Sequence, residues 1–370
     1  MDNISKNRII WMDVARFIAL ISISLNHAFF RAFDLNKRLA EVVLKDVDFS
    51  LFISIILYFF SRLGVSLFLM ITGALILSKK FETTEDIKYY YKNNLLRILI
   101  TSEIWMAIMY LIIVISKIPG YDIPEARGLL IGNFFKTMLF DMKYTYGNMW
   151  YIPMILSVYT ILPLIAVGLN KLGKKIILVP LAVVIVSGML IPNILEIMYM
   201  LGYEMDFFSS IMSENVFSIY VPYVLVGYFI SKGMLKSIPS TPIAILAFAN
   251  FLMSCFYIIW YAKTEYYYDI SYYHILTLLT STFVFELIRR YGDRLRYLRK
   301  PVVYISRISF SVFFIHIIIM EFMRYYIDFG EMSEYLILAI FEVASIAISV
   351  LIVAVFSQNK FLRKYMFMIK

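Results

Sequence analysis

The sequence predicts an all-α integral membrane protein, a bundle of about ten transmembrane helices with both termini cytoplasmic. Three observations predict it. Of 370 residues, 61% are hydrophobic and 16% charged, a balance that suits lipid rather than water as the solvent. Apolar runs recur from near residue 9 to near residue 357 with no long polar stretch between them, which reads as one polytopic membrane domain over 1–370. The basic residues gather in the short gaps: 22 of the 35 Lys and Arg fall on the side shared by both termini and 10 on the other, and short basic loops stay in the cytoplasm.

A helix needs roughly 20 apolar residues to cross the hydrocarbon core, and its backbone must satisfy itself there. The first span, 9–30, lacks a small-residue cleavage site and carries Asp13 and Arg16, so it reads as a retained helix rather than a signal peptide. The second, 51–77, holds Arg62 near its outer end, and the third, 95–115, starts at Arg97 on the cytoplasmic side. The fourth, 149–169, follows a stretch at 139–150 that mixes aromatic, amide and charged groups; such a stretch is either an interfacial aromatic belt or a glycan contact. The fifth and sixth, 175–192 and 216–231, rest on hydropathy alone. The seventh, 242–262, contains Cys255, the one cysteine, which leaves no disulfide framework and no Cys-based metal site. The eighth, 271–289, has His274 near its outer end beside Tyr272 and Tyr273; the ninth, 302–323, holds His316; the tenth, 335–357, precedes a basic run at 360–370. Segments 31–50, 116–147 and 193–215 are expected to cap the outer side.

The formal charge of +9 does not mark a nucleic-acid surface, because its Lys and Arg lie in topological clusters without interleaved aromatics. Charge inside a span is expensive and therefore informative. Asp13 and Arg16 stand three residues apart on one face of the first helix, close enough to pair. His27 follows Arg16 by eleven residues, which at about 100° per residue brings it back within about 20° of the same line and roughly 16 Å further along. The pair could equally be an internal staple. An imidazole at this depth suits a general base, because it exchanges a proton near physiological pH. No second His or Cys stands at metal-ligand spacing from His274 or His316, so no metal is expected. Arg97 is either a positive-inside anchor or a contact for the phosphates of a nucleotide-bearing donor. Glu103, Glu286 and Glu342 also fall within spans, without assignable partners.

Four segments together resemble the acyltransferase 3 family of membrane O-acyltransferases, in its stand-alone branch. Trp11-Met12-Asp13-Val14-Ala15-Arg16, followed by His27, is similar to the family's first-helix signature. Ser61-Arg62 through Thr72-Gly73 resembles its second-helix motif. Asn148-Met149-Trp150-Tyr151 through Leu162-Pro163 looks like a segment opening on Trp and closing on Leu-Pro, and Ser309 through His316 matches a late-helix pattern of Ser, aromatics and His. Two departures stand out: Asn94 occupies a position three before Arg97 where the family often has arginine, and Ser66 replaces a common Pro.

The resemblance implies transfer of an acyl group, usually acetyl, from cytoplasmic acyl-CoA to a sugar hydroxyl of a cell-surface or lipid-linked polysaccharide, in a bacterial plasma membrane. On that reading His27 is the catalytic base that deprotonates the acceptor hydroxyl, or takes the acyl group itself in a two-step path, with Asp13 and Arg16 in the catalytic row. Arg97, Lys92 and Arg16 face the acyl-CoA, while Arg62, Trp150, Tyr151 and His316 face the acceptor. A glycan or lipid transporter or flippase is the main alternative, weakened because the second half of the chain shows no repeat of the first. A non-catalytic partner of a polysaccharide assembly machine is the third.

Overall fold

The computed structural model describes residues 8–33, 48–117, 123, 125–203, 216–263, 270 and 272–369. Among these residues every regular element is a helix, and each of the ten expected spans is one of them. They are α1 (Ile10–Ala32), α2 (Phe49–Ile76), α3 (Thr84–Ser116), α4 (Arg127–Met138), α5 (Tyr151–Lys171), α6 (Lys174–Ile185 continuing through Ile191–Met200), α7 (Val216–Ser231), α8 (Ser240–Ala262), α9 (Ile275–Tyr291), α10 (Arg299–Tyr326), α11 (Glu334–Phe356) and α12 (Lys360–Tyr365). Eight of them, α1, α2, α3, α5, α6, α8, α10 and α11, are long and apolar enough to cross a membrane, and α7 contributes a shorter apolar stretch at Ile219–Ser231.

Several boundaries differ from the expectation, each for a local reason. α3 begins eleven residues earlier than 95 because Thr83 and Asp86 form a reciprocal capping box, with Asp86 N–H donating to Thr83 Oγ1 at 3.2 Å and Thr83 N–H to Asp86 Oδ2 at 2.9 Å. A π turn at Tyr91–Leu95 joins that polar start to the apolar part. α6 runs on to Met200 through a π turn at Val186–Leu190, which ends two residues before Pro192, a residue with no N–H to continue a regular ladder. α4 replaces part of the expected outer loop 116–147; its mixed composition over only 12 residues falls short of a span. The segments 34–47 and 204–215 of the expected outer cap lie outside the described residues. Arg62 is corrected in position: with α2 starting behind the Asp48 N-cap, whose Oδ1 accepts from Leu51 N–H at 2.7 Å, Arg62 sits midway along the helix rather than near its outer end.

The chain forms two compact units, each drawn from several parts of the sequence. The described residues of Met1–Phe30, Asp34–Phe81 and Leu162–Ser306 make the first. In it α2 packs on α1, α7, α8 and α9. The closest approach is at glycines: a Cβ on Gly73 would lie 1.8 Å from the Val224 carbonyl oxygen, and one on Gly227 2.1 Å from that of Met70. In lipid, where no hydrophobic effect drives helices together, such close backbone contact supplies the packing energy. Hydrogen bonds add to it, with Ser22 Oγ donating to Phe60 O at 2.9 Å and Asn26 Nδ2 to Ser61 Oγ at 2.9 Å. Arg31–Phe33, Glu82–Ile161 and Arg307–Lys370 make the second unit, in which α3 packs on α4 and α12. Large apolar side chains such as Phe248 and Phe256 on α8, or Val343 and Leu351 on α11, remain exposed, as a lipid-facing surface requires.

Candidate functional site

The start of α1 is built around one buried carboxylate. Arg8 donates from Nε and Nη2 to the two oxygens of Asp13 at 2.6 and 2.7 Å, Arg16 Nη1 approaches at 3.3 Å, and Ser306 Oγ of α10 donates at 2.6 Å. Asp13 is 1% exposed. A carboxylate buried this deeply persists only with charged and hydrogen-bonding partners, and here both oxygens have them. The expected Asp13/Arg16 pair therefore forms, joined by Arg8 and Ser306, which sequence reasoning did not bring in.

His27 lies on the Arg16 face of α1, about 21 Å along the axis from Asp13. It is half-buried, and in this it differs from the other two histidines. His274 is buried and caps α9, its Nδ1 accepting from Leu276 N–H at 3.2 Å. His316 has no exposed surface, and its Nδ1–H donates to the Val312 carbonyl at 2.8 Å; because a carbonyl only accepts, Nδ1 carries a proton. One turn beyond His27, Arg31 forms a buried ion pair with Glu321 of α10. The sequence reading ended the first helix at residue 30 and counted Arg31 among loop charges. The i,i+4 spacing from His27 was the signal that could have placed it on the same face.

In the second unit three of the expected acceptor contacts come together. The Tyr151 ring lies 5.4 Å from Phe313, whose ring is 6.3 Å from that of His316, and Trp150, 37% exposed, lies 6.2 Å from Tyr151. Asn148 anchors the start of α5 to α10 by donating from Nδ2 to the Phe313 carbonyl at 3.1 Å, while its buried Oδ1 has no hydrogen-bond partner among the described residues. Arg62, expected with this group, belongs to the first unit. There it is 8% exposed, its guanidinium bonded to Tyr58 Oη at 2.8 and 3.2 Å and set against the rings of Phe30, Tyr58 and Tyr272 at 5.7, 5.0 and 6.0 Å.

The two cations expected to face a nucleotide donor differ in setting. Lys92 is exposed in the π turn of α3. Arg97 is half-buried, donates from Nη2 to Lys364 O at 3.4 Å and keeps a buried Nε–H with no hydrogen-bond partner among the described residues. Asn94 turns back on its own helix, donating to Tyr90 O at 3.1 Å. Glu286 acquires the partners that sequence did not reveal, in Arg289 at 2.7 Å and Arg290 at 2.5 Å.

A family model described as an acyltransferase domain matches residues 9–357 of the chain. No curated protein and no solved structure matches it.

Proposed function

Since the chain belongs to the acyltransferase 3 family and is a multi-pass membrane acyltransferase, we propose that it is an O-acetyltransferase, taking acetyl from cytoplasmic acetyl-CoA and placing it on a sugar hydroxyl of a cell-surface or lipid-linked polysaccharide in a bacterial plasma membrane. The observation that carries the choice of base is the sorting of the histidines. His274 is engaged as a helix cap and His316 is sealed in the bundle, whereas His27 retains surface that a substrate can meet. His27 takes the proton of the acceptor hydroxyl as its oxygen attacks the thioester carbonyl carbon. The carbon–sulfur bond then breaks, and the imidazolium returns the proton to the leaving thiolate, giving an ester and free CoA. Arg97 and Lys92 are the cations offered to the donor's phosphates. Asp13 and Arg16 act in this scheme by fixing the start of α1, and Trp150 and Tyr151 supply aromatic surface for the sugar.

Purified protein incubated with labelled acetyl-CoA and candidate glycans tests this. Label should reach the glycan with release of one CoA per ester, and His27→Ala should lower the rate about 10²–10⁴-fold, the usual contribution of a positioned base. Absence of both label transfer and CoA release with every acceptor overturns it.

A further inference from the structure

The segment from Lys360 to Ile369 is held by a contact pattern that its own sequence does not explain. Four consecutive backbone carbonyls are each met by a different side-chain donor. Lys364 O accepts from Arg97 Nη2 at 3.4 Å, Tyr365 O from Thr101 Oγ1 at 2.7 Å, Met366 O from Trp105 Nε1 at 3.0 Å and Phe367 O from Ser311 Oγ at 2.7 Å. Arg97, Thr101 and Trp105 stand at i, i+4 and i+8, so they form one stripe along about 12 Å of α3. Phe367 is 2% exposed with its ring 6.3 Å from Trp105, and Trp105 stacks on Phe314 of α10 at 5.5 Å and 4°.

A stripe of this kind recognises amide carbonyls rather than side chains. Thr101 and Ser311 have no exposed surface, and their hydroxyls and the Trp105 N–H are positioned to satisfy whatever amide-bearing strand lies along them. The arm of an acyl-CoA is such a strand. It is slender, carries two amide groups, and ends in phosphates on the side away from the thioester. At the start of the stripe stands Arg97, whose Nε–H has no hydrogen-bond partner among the described residues and is suited to a phosphate oxygen.

We propose that the Arg97/Thr101/Trp105 stripe with Ser311 is the track for the amide-bearing arm of the acyl donor, and that residues 364–367 lie on it as an internal stand-in which the donor displaces. This rests on the acyl-CoA reading above. The segment is thereby autoinhibitory: donor binding carries the work of lifting Phe367 and releasing four carbonyls, so the apparent donor affinity is lowered by the fraction of time that the track is covered.

The test uses the full chain in detergent. Trypsin cleavage after Lys360, Arg363 or Lys364, read by mass spectrometry as release of the C-terminal pieces beyond them, is followed with and without CoA, and acetyl-CoA consumption is assayed on the same preparation. CoA should accelerate release several-fold, saturably. Phe367→Ala, which loosens the segment without altering the stripe, should lower the KM for acetyl-CoA several-fold at unchanged kcat, while Phe367→Leu behaves as the unaltered protein. If acetyl-CoA is consumed but CoA leaves cleavage unchanged or slows it, and Phe367→Ala does not lower KM, the segment is a structural brace and the proposal fails while acyl transfer stands. If no acetyl-CoA is consumed and CoA has no effect on cleavage, both fail together.

Discussion

Asp13→Asn separates a structural carboxylate from a chemical one. The substitution keeps the shape of the side chain and, with its oxygen at the Oδ1 position, an acceptor for Ser306 Oγ; it removes the charge that Arg8 and Arg16 share and turns the oxygen that accepts from Arg8 Nε into an NH2 donor. Breaking a fully buried ion pair costs about 3–5 kcal/mol, because the surviving charge is left without compensation. Here the two guanidiniums are 25% and 24% exposed, so part of that penalty is relieved by water and the loss should be roughly 2–3 kcal/mol. Ser306→Ala removes one hydrogen bond to a charged group and should cost about 1.5–3 kcal/mol. Because both changes act on one carboxylate, the double variant should lose less than their sum. Thermal unfolding in detergent, read by tryptophan fluorescence, measures the stabilities, and acetyl-CoA turnover of the fraction that remains folded measures the chemistry. The folded fraction of Asp13→Asn should keep turnover within a few-fold. Unchanged stability with turnover lost would refute the structural assignment and place the aspartate in the reaction.

Two further substitutions probe the packing and the second buried pair. Gly73→Val should abolish folded, monodisperse protein, because a Cβ 1.8 Å from the Val224 carbonyl oxygen forces α2 and α7 apart; overpacking usually costs about 1–3 kcal/mol and a backbone neighbour cannot swing aside, whereas Gly128→Val, with open space around its Cβ, should leave size-exclusion profiles unchanged. Glu321→Gln should lower the unfolding temperature through its lost pairing with Arg31. The exchange Arg31→Glu with Glu321→Arg should recover part of that loss, and failure of the exchange to recover any would show that the pair is not what holds these residues.

The helices were legible because lipid imposes a length on apolar runs and forces every backbone group into a helix, so composition alone located α1 to α3 and α5 to α11, although only eight of these ten are long and apolar enough to cross a membrane. Where structure depends on polar detail, hydropathy is silent. The early start of α3 lies in a four-residue exchange between Thr83 and Asp86, and α4 and α12 are too short and mixed to register as spans. The site was half legible for the same reason. Asp13 with Arg16 followed from helical spacing, but Arg8 lies ahead of the helix, where spacing gives no register, and Ser306 and the Arg31–Glu321 pair needed knowledge of which helices touch. The polar side chains of Thr101, Trp105 and Ser311 are unremarkable in an apolar run, and only their common alignment on carbonyls 365–367 gives them meaning.

That contrast sharpens how polar groups inside the bundle divide. Asp13 and Glu286 have their oxygens engaged by arginines of the same chain, and a charge so engaged has little left to offer a substrate. Buried polar atoms without a partner among the described residues are the ones left to meet water or a ligand. Two of them in the second unit are complementary in kind. Arg97 Nε–H is a donor on a cation, and Asn148 Oδ1 is an acceptor. A nucleotide-bearing donor brings phosphate oxygens that require the first, and a sugar brings hydroxyl hydrogens that require the second. Asn148 holds Phe313 one turn before His316 and lies shortly ahead of Trp150 and Tyr151, so its side chain sits close in sequence and in contact to the aromatic group, with an oxygen that has no hydrogen-bond partner among the described residues.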